Sequence, residues 1–173
     1  MFPTLSHMIC DNFSSCPTHI REHCYKTLVR SQLEYASSVW DNNVKSNINK
    51  VESVQRNAAD FTCSDYRRTS SVTAMLRKLQ WDSLQQRRAR SRVLMLYRIR
   101  NGLVAIPAAA YLEPVPICTR RFETRYVQIQ CTTGTYSQTF FPSAIRLWNT
   151  LPVDICQLCP GSFKTHLSSF RFI

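Results

Sequence analysis

PTHIREHCYKTLVRSQLEYASSVW, from Pro17 to Trp40, is the stretch whose reading decides the fold. Ile20, Cys24, Leu28, Gln32, Ala36 and Trp40 recur at intervals of four, and Tyr25, Val29 and Val39 widen the stripe. Apolar residues three and four apart share one face of an α-helix, so the spacing predicts a helix from Pro17 to Trp40 with Leu28 in a core interface. Proline is tolerated at the opening of a helix, where its missing N–H costs nothing. Asp41-Asn42-Asn43 supplies the break.

Working outward, Ile48, Val51, Val54, Ala58 and Phe61 predict a second helix over Val44 to Thr62, with Lys50, Glu52 and Arg56 on the opposite side. The short connection implies an antiparallel pair. Ser70 or Ser71 can cap a third helix carrying Val72, Met75, Leu76 and Leu79. Asp82 can cap a fourth that Gly102 terminates. In that fourth helix Arg87, Arg88, Arg90 and Arg92 crowd the first half, whereas Val93 to Tyr97 is apolar all round and therefore buried. Before the first helix, residues 1–15 lack periodicity and read as a loose or foreign lead-in. Beyond Tyr111 the composition shifts to Pro and Thr. Tyr126 to Phe141 reads as a small β-hairpin with Thr133-Gly134 as its turn. Helix signals return at Pro142 to Asn149 and at Ser162 to Phe170. The fold class is mainly α, a helical bundle over 16–112 followed by a hairpin and short C-terminal helices over 113–173.

The charge is one-signed. The chain of 173 residues has 22 Lys and Arg against 11 Asp and Glu, a formal net charge of +11. Between Arg67 and Arg100 ten basic residues face a single acid, Asp82. A charged face that serves only solubility interleaves both signs, so this clustering points to an anionic partner, nucleic acid above all. Arg67, Arg68, Arg87, Arg88, Arg90 and Arg92 are the candidate phosphate contacts. The competing reading is that these arginines cover neighbouring helices with their stems.

Catalytic chemistry finds little footing. Two-metal phosphoryl transfer needs converging carboxylates, and the six Asp residues are scattered, with no adjacent acidic pair. Three glycines cannot build a phosphate loop. Cys156 and Cys159 have zinc-ligand spacing with His166 seven residues on, and Cys16, His19, His23 and Cys24 cluster at the other end. Neither set has a tidy second pair, so no metal or cofactor is expected and a zinc-stabilised structural domain stands as the alternative. No secretion signal precedes the eight cysteines, which read as reduced thiols of an intracellular protein in cytoplasm or nucleus. The longest apolar run, Leu103 to Leu112, is broken by Pro107 and too short to cross a bilayer. Trp40, Trp81 and Trp148 could stack on bases but stand at helix boundaries on apolar faces, which favours core anchoring.

Tyr25-Lys26-Thr27-Leu28-Val29-Arg30, Leu33 to Asp41, Val51-Glu52-Ser53-Val54-Gln55-Arg56 and Ala58-Ala59 resemble a segment downstream of the catalytic core in LINE-type, non-LTR retrotransposon reverse transcriptases of the jockey-like kind. Leu79-Gln80-Trp81, Leu84, Arg87-Arg88, Tyr97-Arg98-Ile99 and Phe141 to Pro152 extend the likeness, which covers about Cys16 to Phe170. The resemblance implies thumb and post-thumb structure that contacts an RNA or DNA template–primer, beside a polymerase core that this sequence lacks. The family's Ala-Asp-Asp signature is absent, so the chain is expected to be no enzyme alone. Ser31 and Asn42 stand where that family usually has proline, and Asp60 where it usually has a basic residue. Those departures fit a decayed copy without function. An independent helical interaction module is the further alternative.

Overall fold

The computed structural model describes residues 12–35, 37, 45–67, 69–116 and 124–172. Arg68, Ala36, Val39, Trp40, the Asp41-Asn42-Asn43 break and most of the expected lead-in lie outside the described residues. The described chain is mainly helical and divides into two compact units, Met1–Arg87 and Arg88–Ile173. That division falls inside a helix, whereas the compositional change at 112/113 suggested a later boundary.

In the first unit, α1 (Thr18–Cys24), a π-helical segment (Tyr25–Arg30) and α2 (Ser31–Glu34) form one unbroken helical stretch. Its buried face is Arg21, Cys24, Tyr25, Val29 and Leu33. The expected stripe is thus displaced by one position: Ile20 is 37% exposed and Leu28 44%, so Leu28 is no core residue. In an α-helix, residues four apart drift by about 40° per step. The wider π turn, made by i→i+5 bonds, keeps Tyr25, Val29 and Leu33 aligned. Thr27 Oγ1 donates to the His23 carbonyl at 2.8 Å and Ser31 Oγ to that of Thr27, side-chain bonds of the type that loosen and bend helices. The stretch ends at Tyr35, whose ψ of 125° is extended.

Helix α3 (Lys45–Cys63) packs on this stretch through Ala58, Ala59 and Phe61, with Val51 and Val54 partly covered. The pairing is antiparallel. Arg21 near the start of one helix reaches Phe61 near the end of the other, and Tyr25 meets Gln55 further back along α3. Ser71 caps α4 (Val72–Lys78) by accepting from Ala74 N, at 3.4 Å. The cap of α5 (Leu84–Arg100) is Ser83 rather than Asp82: its hydroxyl accepts from Gln86 N at 3.2 Å, while Glu52 of α3 accepts from Gln85 N at 2.9 Å. Two orphan N–H groups are satisfied in this way. Trp81 stacks on Tyr25 with ring centroids 4.5 Å apart and donates to Glu22 at 3.0 Å, an anchoring role in the core. Phe13 packs against the same cluster.

The second unit is built on the rest of α5, of which Val93, Leu96 and Ile99 are fully buried. Gly102, at φ +64°, ends α5 with the Leu103 N–H returned to the Arg98 carbonyl. After a 3-10 turn (Ala108–Ala110) come α6 (Gly134–Ser137), α7 (Phe140–Trp148), α8 (Val153–Cys156) and α9 (Pro160–Ser169). Phe163 of α9 lies at the centre, stacked on Tyr97 at 4.0 Å and tilted against Trp148 at 5.9 Å.

The expected hairpin is not present among the described residues. Thr133-Gly134 is instead the start of α6, with the Thr133 hydroxyl accepting from Tyr136 N, at 3.2 Å. Tyr136, Phe140 and Phe141 then fall on helices, because burial of aromatic faces overrides a strand preference that depends on its surroundings. The extended backbone that does exist is a single antiparallel bridge between Pro114 and Tyr126. Asn149 extends it, its side chain bonding both the N–H and the carbonyl of Tyr126 as a neighbouring strand would.

Candidate nucleic-acid interface

Five of the six candidate arginines are among the described residues, and each has a distinct setting. Arg67, in the loop after α3, is exposed and holds Asp65 with two bonds of 3.0 Å from Nε and Nη2. Arg87 is half-buried and forks onto Glu34 of α2, one bond at 2.9 Å. That carboxylate raises the Arg87 pKa against the effect of burial. Both residues belong to the first unit.

In the second unit Arg88 is 4% exposed. Arg90 donates from Nε and Nη2 to the Phe170 carbonyl at 3.2 and 3.1 Å, which caps the end of α9. Arg92 is half-buried. The arginine-rich run is therefore no uniform exposed ridge. Helical geometry explains this, since residues 87, 88, 90 and 92 point to several sides of one helix.

The acids of the first unit account for the charge that does reach water. Glu22 pairs with Lys26 and accepts from Trp81, Glu34 pairs with Arg87, Glu52 caps α5, and Asp65 holds Arg67 and Ser70. These bonds to Lys26 and Trp81 hold the Glu22 carboxyl below its ordinary pKa, and those of Arg67 and Ser70 do the same to Asp65. Each is drawn partly out of solvent, as are Asp60 and Asp82. Among the described residues of this unit, the charged side chains in full exposure are all cations: Lys45, Lys50, Arg56, Arg67, Arg77 and Lys78. Sequence reading passed over most of this set. The available signal was position, since Lys50 and Arg56 lie opposite the apolar stripe of α3.

The cysteine and histidine clusters do not assemble. Cys156 is 4% exposed in the core and burial pushes its thiol up, whereas Cys159 is exposed and its bond with the Ser162 hydroxyl, at 3.4 Å, lowers its pKa. Among the described residues no three His, Cys, Asp or Glu side chains are grouped as a metal ion requires. Cys16, Cys24, Cys63, Cys131, Cys156 and Cys159 are free thiols. No helix among the described residues is long and apolar enough to cross a membrane.

Comparison with protein-family models, with curated proteins and with solved structures gave no match to this chain.

Proposed function

We propose that this chain binds nucleic acid without catalysing a reaction, as a thumb and post-thumb piece of a LINE-type reverse transcriptase that holds a template–primer by its phosphates. The one-signed exposure of the first unit carries the reading: its acids are engaged in internal bonds while Lys45, Lys50, Arg56, Arg67, Arg77 and Lys78 stand in solvent. Such a surface attracts a polyanion, and condensed counterions released from the phosphates drive association. The spaced sequence likeness to the retrotransposon enzymes supports the same assignment. Arg87 and Arg90 serve the fold by their bonds to Glu34 and Phe170. Arg92 keeps a place among the contacts.

The test is a salt titration of labelled primer–template. Each lost phosphate contact reduces the log–log salt slope by about 0.7 for single strands and about 0.9 for duplex. Replacing Lys45, Lys50, Arg56, Arg77 and Lys78 by Gln flattens the slope by roughly two to three, allowing for cations that miss a phosphate. A folded variant that keeps the affinity and slope of the wild type overturns the assignment.

A further inference from the structure

The loop joining α3 to α4 is fixed at both ends and in its middle. Asp60 and Phe61 accept the N–H groups of Asp65 and Ser64 as α3 closes, and Ser71 caps α4. Between them the Asp65 carboxylate accepts four bonds, from Arg67 N, Nε and Nη2 and from the Ser70 hydroxyl at 2.7 Å. Arg67 in turn accepts from Ser70 N through its carbonyl, at 3.0 Å. Inside this clamp sits Tyr66, 69% exposed. A rigid loop thus holds a large aromatic face in water, on the unit whose exposed charge is all positive. Lys78 at the end of α4 and Asp65 both lie close enough to the Cys63 thiol to act on its ionisation, which puts an exposed cation near the loop.

We propose that Tyr66 is a stacking platform for an unpaired base, so that the cationic surface of the first unit takes single-stranded nucleic acid in preference to duplex. The inference rests on the nucleic-acid assignment above and narrows it to a substrate class. Its physical logic is that a duplex shows a protein its base edges and phosphates, whereas a single strand also offers the flat faces of its bases. Stacking on an aromatic side chain accepts any base. A tyrosine has only two side-chain torsions to fix on binding, and the Asp65 clamp has already ordered the backbone that carries it. Arg67, held in the plane of the Asp65 carboxylate, keeps a guanidinium beside the same position in the chain for the adjoining phosphate.

The experiment uses the full chain with a fluorescein-labelled oligothymidylate, the matching oligouridylate and a labelled DNA duplex of equal length. The wild type is expected to bind both single strands more tightly than the duplex. Tyr66→Ala lowers single-strand affinity roughly ten-fold or more, leaves duplex affinity unchanged and keeps the salt slope, because no phosphate contact is lost. Tyr66→Phe retains the single-strand affinity, since the ring and not the hydroxyl stacks. Tyr136→Ala, which removes an exposed tyrosine of the second unit, changes neither. Equal loss on single strand and duplex in Tyr66→Ala, or no loss on either, overturns the stacking role while leaving nucleic-acid binding intact. Failure of the wild type to bind any of the three probes overturns the broader assignment instead.

Discussion

The two units use the same abundant residue, arginine, for opposite purposes. In the first, arginines meet carboxylates: Arg87 forks onto Glu34 across 53 positions of sequence and Arg67 onto Asp65. In the second they meet neutral groups at the ends of helices. Arg90 bonds the Phe170 carbonyl after α9, Arg100 that of Cys156 at the end of α8, and Arg146 that of Ser137 at the end of α6. Arg100 also lies over the Trp148 ring at 5.4 Å. Carbonyls at a helix C-terminus are unpaired and carry partial negative charge, so short helices can be closed by a distant arginine as well as by a glycine. The difference shows why a basic run in sequence is ambiguous. Charge says only that a partner must be electron-rich, and a carboxylate, a carbonyl and a phosphate all qualify.

The comparison is broken most directly at the core. The second unit depends on stacked aromatic rings, so Phe163→Ala removes the side chain that touches both Tyr97 and Trp148 and costs about 3–5 kcal/mol of stability. Urea unfolding of the full chain measures it. A loss below about 1 kcal/mol would show that the aromatic cluster is not what holds the unit.

A smaller effect is expected from the ion pair of the first unit. Glu34→Gln leaves the Arg87 guanidinium half-buried without its carboxylate. With side-chain exposures of 31% and 29% for Arg87 and Glu34, solvent relieves part of the penalty of a fully buried broken pair. The expected cost is about 1–2 kcal/mol. Arg90→Gln, which weakens a bond to a neutral carbonyl, should cost about 1 kcal/mol and respond less to added salt. If the two variants show the same salt dependence, the distinction between ionic and cap arginines fails.

Acid should separate the units without any mutation. Glu22 and Asp65 have pKa values lowered in the folded state by their partners. Their stabilisation is therefore complete above the ordinary carboxylate range, about pH 4, and is lost as pH falls through the depressed folded values. Asp60, raised by burial and by the neighbouring charge of Asp65, works against this and loses stability as pH rises. Amide signals of the first unit should disappear before those of the second when the protein is titrated below about pH 4. Loss of the second unit first would reverse the assignment of ionic dependence.

What was legible in the sequence follows the range of the interactions. Helix α3 and the buried Val93, Leu96 and Tyr97 of α5 came from periodicity, which is local. So did the Ser71 cap and the Gly102 stop, each set by a few adjacent residues. The one-position displacement of the first helix was not legible, because it depends on a π turn that no spacing rule contains. Thr133-Gly134 carries the composition of a hairpin turn, and only the packing of Phe140 and Phe141 makes it a helix start. The candidate arginines were found as residues but not as roles. Glu34 and Phe170 are 53 and 80 positions from the arginines they bind, and nothing near Arg87 or Arg90 announces them.

The smallest predicted effect concerns how helices end in each unit. Helix α5 closes at Gly102, φ +64°, with the Leu103 and Gly102 N–H groups on the Arg98 and Ile99 carbonyls. In the first unit α4 closes in the same geometry on a residue with a side chain: Gln80 has φ 55°, and the Trp81 and Gln80 N–H groups reach the Leu76 and Arg77 carbonyls. The left-handed backbone costs an L-residue roughly 1–2 kcal/mol, a cost that glycine avoids. Glycine also gives the unfolded chain more freedom, which offsets part of the gain. Gln80→Gly should therefore stabilise the protein by about 0.5–1 kcal/mol, and Gly102→Ala should destabilise it by about 1 kcal/mol. Ser64, at φ 51°, is a poorer site for the same exchange, because its hydroxyl also accepts a bond from Arg21. Paired thermal melts of the two variants supply the measurement. If Gln80→Gly lowers the melting temperature, the Gln80 side chain makes a contribution larger than its backbone strain, and the two helix ends are not equivalent in energy despite sharing one hydrogen-bond pattern.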